Sequence, residues 1–242
     1  MWILRRNHPA SPLSHGISSI FGSLLDDTAD ELHIQTMNRI NKPGKIQKIC
    51  VYCGSGPGTD PAYVKAARAF GEILAKKGIG LIYGGGGDGI MGALARATLD
   101  HGGEVTGIIP EFLMSREHAL RHPNLIVTHD LHERKRRMFE LADAFVALPG
   151  GVGTLEELVE QLTWAQLGRH RKPVLIANIK KFWEPLCALF DHMRTLEFIR
   201  DNLSFSLLVA DQVEEILPKL RKAAEAVPEA AETITAADVE RL

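Results

Sequence analysis

Leu148 to Glu157 reads LPGGVGTLEE, which puts three glycines, a threonine and two carboxylates directly after an apolar run with the pattern of a buried strand. Glycine weakens regular structure and adjacent carboxylates repel, so packing alone does not account for the choice. Free backbone N–H groups at the head of a helix suit a small anion. Two other strand-like runs end in glycine-rich stretches that lead into helical patterns: CGSGPGTDP, Cys53 to Pro61, and YGGGGDGIMG, Tyr83 to Gly92. Ligands of parallel sheets bind at the carboxyl ends of strands, so the three loops are expected to converge. The candidates for ligand contact are then Gly54 and Ser55 in the first loop, Gly85 and Gly86 in the second, and Gly150, Gly151, Val152, Gly153, Thr154, Leu155 and Glu156 in the third.

Spacing prunes the ligands. GSGPGT lacks the third glycine of the dinucleotide fingerprint, and the second strand ends in glycines where a ribose-binding acid belongs. No G-x-x-x-x-G-K-[ST] occurs, which removes the common P-loop enzymes, and no lysine sits in the phosphate-anchored context of a pyridoxal site. No cofactor is expected.

THDLHERKRRMFELADAF, Thr128 to Phe145, places Arg134, Lys135, Arg136 and Arg137 near the start of a helix, where cations oppose the macrodipole. Arg134 lies beside the converging loops and is assigned to the ligand. Arg136 and Arg137 are read as a solvated face pairing with Glu133 or Glu140. Glu157 has two readings: TLEE, Thr154 to Glu157, fits a capping box in which the glutamate reaches back to the threonine N–H, or the carboxylate is chemical. Next to a positive helix end it is expected to stay ionised.

His118 and His122 are four apart and His129 and His132 three apart, but no third ligand accompanies either pair, so no metal is expected. Cys50 and Cys53 form a C-x-x-C within a strand pattern, where residues three apart face opposite sides, so neither zinc nor redox chemistry is assigned.

The elements that must position these residues are legible from periodicity. From Gln47 onward seven strand-like runs alternate with helical patterns, with the helix after the third glycine loop starting at about Thr154. Such alternation implies an α/β fold, a single doubly wound, mainly parallel sheet with helices on both faces, Rossmann-like in type. The expected organisation is an N-terminal extension over 1–45 containing an amphipathic helical pattern at Asp26–Ile40, a nucleotide-binding catalytic domain over 46–225, and a polar tail over 226–242. A formal net charge of −2 excludes a general nucleic-acid or membrane binder. No apolar run reaches membrane-spanning length, and three cysteines in 242 residues suit a reducing compartment, so a cytoplasmic location is expected.

With these residues in hand, the chain from Lys48 to Ala224 resembles the LONELY GUY family, cytokinin-activating nucleoside 5′-monophosphate phosphoribohydrolases often mislabelled lysine decarboxylases. Pro149–Glu157 meets the pattern P-G-G-x-G-T-x-x-E, Arg134 and Lys135 match the Arg-Lys pair ahead of it, and YGGGGDGIMGALARA and GIIPEFL match in order. The resemblance implies that Arg134 and Glu157 are a catalytic pair and that Glu117, Lys135, Gly151, Gly153, Thr154 and Thr163 contact the nucleotide. It implies a small-molecule partner, a purine nucleoside monophosphate of the AMP or cytokinin type, and a homodimer or higher homo-oligomer. A non-catalytic nucleotide or cofactor carrier of similar fold is the alternative; it would keep the glycine loops but has no reason to keep Arg134 together with Glu157.

Overall fold

Lys48–Tyr52 alternates its side chains between two apolar environments, and the other interior strands of the sheet do the same, while the edge strand β4 leaves Val127 half exposed. The computed structural model describes residues 45–199 and 206–226. Within them the chain runs β1 (Lys48–Tyr52), α1 (Pro61–Lys76), β2 (Gly80–Tyr83), α2 (Gly89–Asp100), β3 (Val105–Pro110), β4 (Leu125–Thr128), α3 (Leu131–Leu141), β5 (Ala144–Ala147), α4 (Val152–Gln166), β6 (Val174–Ala177), α5 (Glu184–Thr195), β7 (Leu207–Ala210) and α6 (Ile216–Glu225). The helical pattern at Asp26–Ile40 and the polar tail after Ala226 lie outside the described residues.

The strands form one sheet in the order β4-β3-β2-β1-β5-β6-β7, and all six neighbouring pairs are parallel. Ile49, Val51, Leu81, Tyr83, Val146 and Leu175 face a core shared with α1, α2 and α6. Cys50, Tyr52, Ile82, Phe145, Ala147 and Ile176 face a second core shared with α3, α4 and α5. The period of two thus sends Cys50 and Cys53 into different cores.

Strand order reverses between β1 and β5, because β2 to β4 build outward on one side of β1 and β5 to β7 on the other. The loops after β1 and β5 diverge at that point and leave a crevice at the carboxyl ends. Close helix packing aims the first two glycine loops at it. At the crossing of α1 and α2, a Cβ on Gly71 would stand 2.6 Å from the Leu94 carbonyl oxygen and 2.9 Å from Thr98 Oγ1. Thr98 Oγ1 is itself committed, donating to Leu94 O at 3.0 Å.

In a loosely packed helix Gly→Ala stabilises by about 1 kcal/mol. At Gly71 the sign should reverse. Gly71→Ala is expected to lose about 1–3 kcal/mol through overpacking, and a melting temperature at or above that of the native chain would show that the two helices do not need this close approach.

Candidate functional site

A cleft of about 290 Å3 lies at the switch point, lined by Val51 to Ser55 at the end of β1 and just beyond it, Gly84 and Met91 of the second glycine loop and its helix, Glu117, Arg134, Gly151 to Thr154, and Glu157. That volume is at the lower end of small-ligand pockets. A larger recess of about 520 Å3 at the opposite end of the sheet is lined by Lys45, Lys48, Lys77, Glu104 and Arg221 among others. The smaller cleft holds Glu117 and Glu157, whose carboxyls burial raises, which makes it the candidate site.

The loops meet backbone to backbone. Gly54 N donates to Pro149 O at 3.1 Å, and Met91 N donates to Gly54 O at 3.2 Å. Gly150 lies beneath this contact, where any Cβ would collide with the Thr154 side chain and crowd Gly54 N. Helix α4 begins at Val152 with Gly151 at the N-cap. Its backbone hydrogen bonding begins with Leu155 N donating to Gly151 O at 3.0 Å, which leaves the N–H groups of Val152, Gly153 and Thr154 ahead of the helical ladder.

The helix start overturns the capping box. Thr154 is the third helical residue rather than the cap, and Glu157 sits a full turn further in, where it cannot reach back to an N-cap N–H. It is buried, at 9% exposure, and its Oε1 lies 3.5 Å from Arg134 Nη2. The expectation of a fully ionised carboxylate is also corrected. Burial pushes the Glu157 carboxyl up to about 7; Arg134 opposes the shift, while Glu156 and Glu117 add to it. Desolvation outweighs the helix end because the group lies beyond the first turn, where the dipole's influence has faded.

Arg134 comes from the first turn of α3, whose N-cap Asp130 accepts from Glu133 N at 2.8 Å. Arg134 is 7% exposed, and its Nε has no hydrogen-bond partner among the described residues. Room for it exists because residue 84 is glycine; a Cβ there would overlap Nη2. Glu117, reached through the long β3–β4 connection, is half-buried in the same cleft and burial raises its carboxyl, with Arg134 pulling the other way.

The structure therefore brings together Gly54, Ser55, Glu117, Arg134, Gly151, Val152, Gly153, Thr154 and Glu157. It does not bring the remaining candidates to this cleft. Lys135 Nζ is paired with Glu156 at 2.6 Å and Glu160 at 2.9 Å on the flank between α3 and α4. Leu155 packs in the second core. Thr163 is exposed and donates to Val159 O at 2.8 Å. Gly85, at φ +81°, lies against Ile109, and Gly86 lies beside Met91. Arg137 pairs with Glu133 at 3.3 Å on the exposed face, as its spacing suggested. His118 is engaged with Asp88, and His122 stacks on Tyr83 with centroids 6.3 Å apart. Sequence reasoning missed Gly84 and Met91. The run of four glycines carried a signal for the first, but nothing local distinguishes Met91 from a core methionine.

A protein-family profile described as possible lysine decarboxylase matches residues 91–220. The chain is 43% identical over 187 residues to the cytokinin riboside 5′-monophosphate phosphoribohydrolase LOG of Oryza sativa subsp. japonica, covering 76% of each. It is 40% identical over 177 residues to the cytokinin riboside 5′-monophosphate phosphoribohydrolase of Rhodococcoides fascians, covering 72% of this chain and 89% of that one. Among solved structures, a molybdenum-cofactor carrier protein of Chlamydomonas reinhardtii superposes with a TM-score of 0.56 at 18% identity, covering 76% of this chain and 100% of the other. That likeness concerns the fold alone.

The folded state holds the Glu157 proton more tightly than an unfolded chain, whose glutamates titrate near ~4.3. Stability should therefore fall as pH rises from that range through about 7. Glu157→Gln resembles the protonated form at every pH. Its melting temperature is expected to gain on the native protein's between about pH 5 and about pH 8, and parallel curves would contradict the raised carboxyl.

Proposed function

The chain belongs to the family of cytokinin riboside 5′-monophosphate phosphoribohydrolases, and from that premise we propose that it hydrolyses the N-glycosidic bond of purine nucleoside 5′-monophosphates, AMP or N6-modified forms, to free base and ribose 5-phosphate. The observation that carries this is the buried pair Arg134 and Glu157, 3.5 Å apart, facing the free N–H groups at the head of α4.

The substrate phosphate sits on the N–H groups of Val152, Gly153 and Thr154, with Arg134 adding a charge-assisted contact from the facing wall. This seats the ribose beside Glu157, one turn deeper along α4. Breaking the glycosidic bond builds oxocarbenium character on the ribose; the Glu157 carboxylate stabilises it and takes a proton from the attacking water. The carboxylate form grows as pH rises through about 7, so turnover rises with it.

Homo-oligomerisation belongs to the same proposal. Val152, Val159 and Leu167 are exposed along α4 at 84%, 38% and 55%. Thr163 shares their face, since the steps from 152 to 159, 163 and 167 keep to helical spacing. A second copy seated there would cover apolar surface and bring Thr163 toward the partner's nucleotide. A cytoplasmic location is supported by three cysteines that are all unpaired.

A carrier of the same fold remains the alternative reading. Turnover separates the two. We expect adenine release from AMP with little from adenosine, because the phosphate site supplies much of the positioning energy. Glu157→Gln should lose about 10²-fold or more in AMP hydrolysis while staying folded. Stoichiometric AMP binding without adenine release, or near-normal turnover by the glutamine variant, would sink the hydrolase mechanism. A native kcat/KM that is flat between about pH 6 and about pH 8 would contradict the titrating Glu157.

A further inference from the structure

The mechanism above leaves the departing base unassisted. A purine anion is a poor leaving group, so cleavage at neutral pH calls for a proton donor on the base side of the ribose. The cleft contains one further carboxyl, Glu117. Its Oε2 is buried and makes no hydrogen bond to any of the described residues, so its donor or acceptor capacity is unspent and open to a ligand.

The segment carrying Glu117 is tied down rather than loose. Glu117 N donates to Leu113 O at 2.9 Å, Gly87 N donates to Glu117 O at 3.0 Å, and Leu120 N donates to Gly85 O at 3.0 Å. His118, in the left-handed region at φ +43°, is engaged with Asp88 at the start of α2. The β3–β4 connection is thereby stitched to the second glycine loop at Glu117 and just after it, which fixes the carboxyl at the cleft. Such anchoring is what an acid must have to meet its acceptor in register.

Resting on the nucleotide-hydrolase reading, we propose that Glu117 is the general acid of this site, passing its carboxyl proton to a purine ring nitrogen as the glycosidic bond breaks. The bonding pair stays with the base, which leaves neutral with the Glu117 proton on the ring. Water adds to the ribose cation and gives its proton to Glu157. Each turnover ends with Glu117 ionised and Glu157 protonated, and one proton returns through solvent to restore the start.

The charged groups facing Glu117 agree with a shared proton. Arg134 pulls its carboxyl down and burial pushes it up, with burial the larger effect. A Glu117 carboxylate in turn helps hold the Glu157 proton, and it also raises the buried Cys53 thiol. Two carboxyls share one guanidinium in one desolvated cleft, burial favours the protonated form of each, and two such coupled groups titrate as a pair. With Arg134 3.5 Å from Glu157, the substrate-bound arrangement that satisfies both partners has the negative charge at Glu157 and the proton at Glu117 against the base.

The test compares AMP with 4-nitrophenyl ribofuranoside 5-phosphate, whose leaving group departs without protonation. Glu117→Gln is expected to lose about 10²-fold or more in kcat on AMP, with a loss on the nitrophenyl substrate at least about tenfold smaller. Its AMP profile should also lack the fall at alkaline pH that the native enzyme shows as the acid ionises. Glu117→Asp should recover part of the AMP activity, which loss of folding could not explain. Glu157→Gln, by contrast, should lose heavily on both substrates. Equal losses of Glu117→Gln on the two substrates, or near-native AMP turnover, overturn the assignment of the acid alone. A native protein that releases neither adenine nor nitrophenol overturns the hydrolase reading and this one with it.

Discussion

Arg134 and Glu157 are both nearly excluded from water, and almost everything about the cleft follows from keeping that pair in place. At 3.5 Å with the guanidinium Nε unpartnered, the pair does not recover through mutual contact what burial takes from each group. A packing solution would have used two apolar residues. The arrangement makes sense when the open positions around the pair are completed by a ligand that carries both negative charge and, transiently, positive charge.

The fold supplies that setting through its topology. Strand order reverses between β1 and β5, and the two loops that leave this point bond to each other through Gly54 and Pro149 while their helices diverge. Glycine at 150 lets the loops approach, and glycine at 84 lets the guanidinium lie where a side chain would otherwise sit. The site is thus built mostly from backbone and from the absence of side chains, with a few charged groups inserted from α3, α4 and the β3–β4 connection. Those groups come from three separate parts of the chain, so their geometry depends on the whole sheet being formed.

Much of this was legible in the sequence, for a physical reason. The interior strands are buried on both faces and even the edge strands are apolar in sequence, so they read as short apolar runs, and β2, β4, β6 and β7 fall on the expected residues. The start of α4 was placed two residues late because Thr154 is a good capping residue, while the role fell to Gly151, whose free backbone suits a ligand better than a self-capped helix would. Ionisation of Glu157 was misjudged because burial depth is a tertiary property that a ten-residue window does not contain. Lys135 and Thr163 mark another limit. A motif names residues by their order along a chain, but the flank between α3 and α4 and the outer face of α4 are not this chain's cleft.

The raised Glu157 carboxyl ties the cost of the pair to the chemistry. A carboxylate whose pKa stands at about 7 rather than in the usual range is an anion short of solvation, by about 3 kcal/mol at about 1.4 kcal/mol per unit. The neutral ribose of a bound nucleotide does little to relieve it, and the phosphate aggravates it. An oxocarbenium ion beside the carboxylate relieves it, and that cation exists only near the transition state. Stabilisation withheld from the ground state and delivered at the barrier lowers the barrier, whereas the same carboxylate in water would already be satisfied and would gain little. Three kilocalories correspond to roughly a hundredfold in rate. In the proposed mechanism the dry, half-satisfied pair beneath the glycine loops acts as a preorganised counter-charge, and the stability the fold gives up to bury it reappears as selectivity for the one species that completes it.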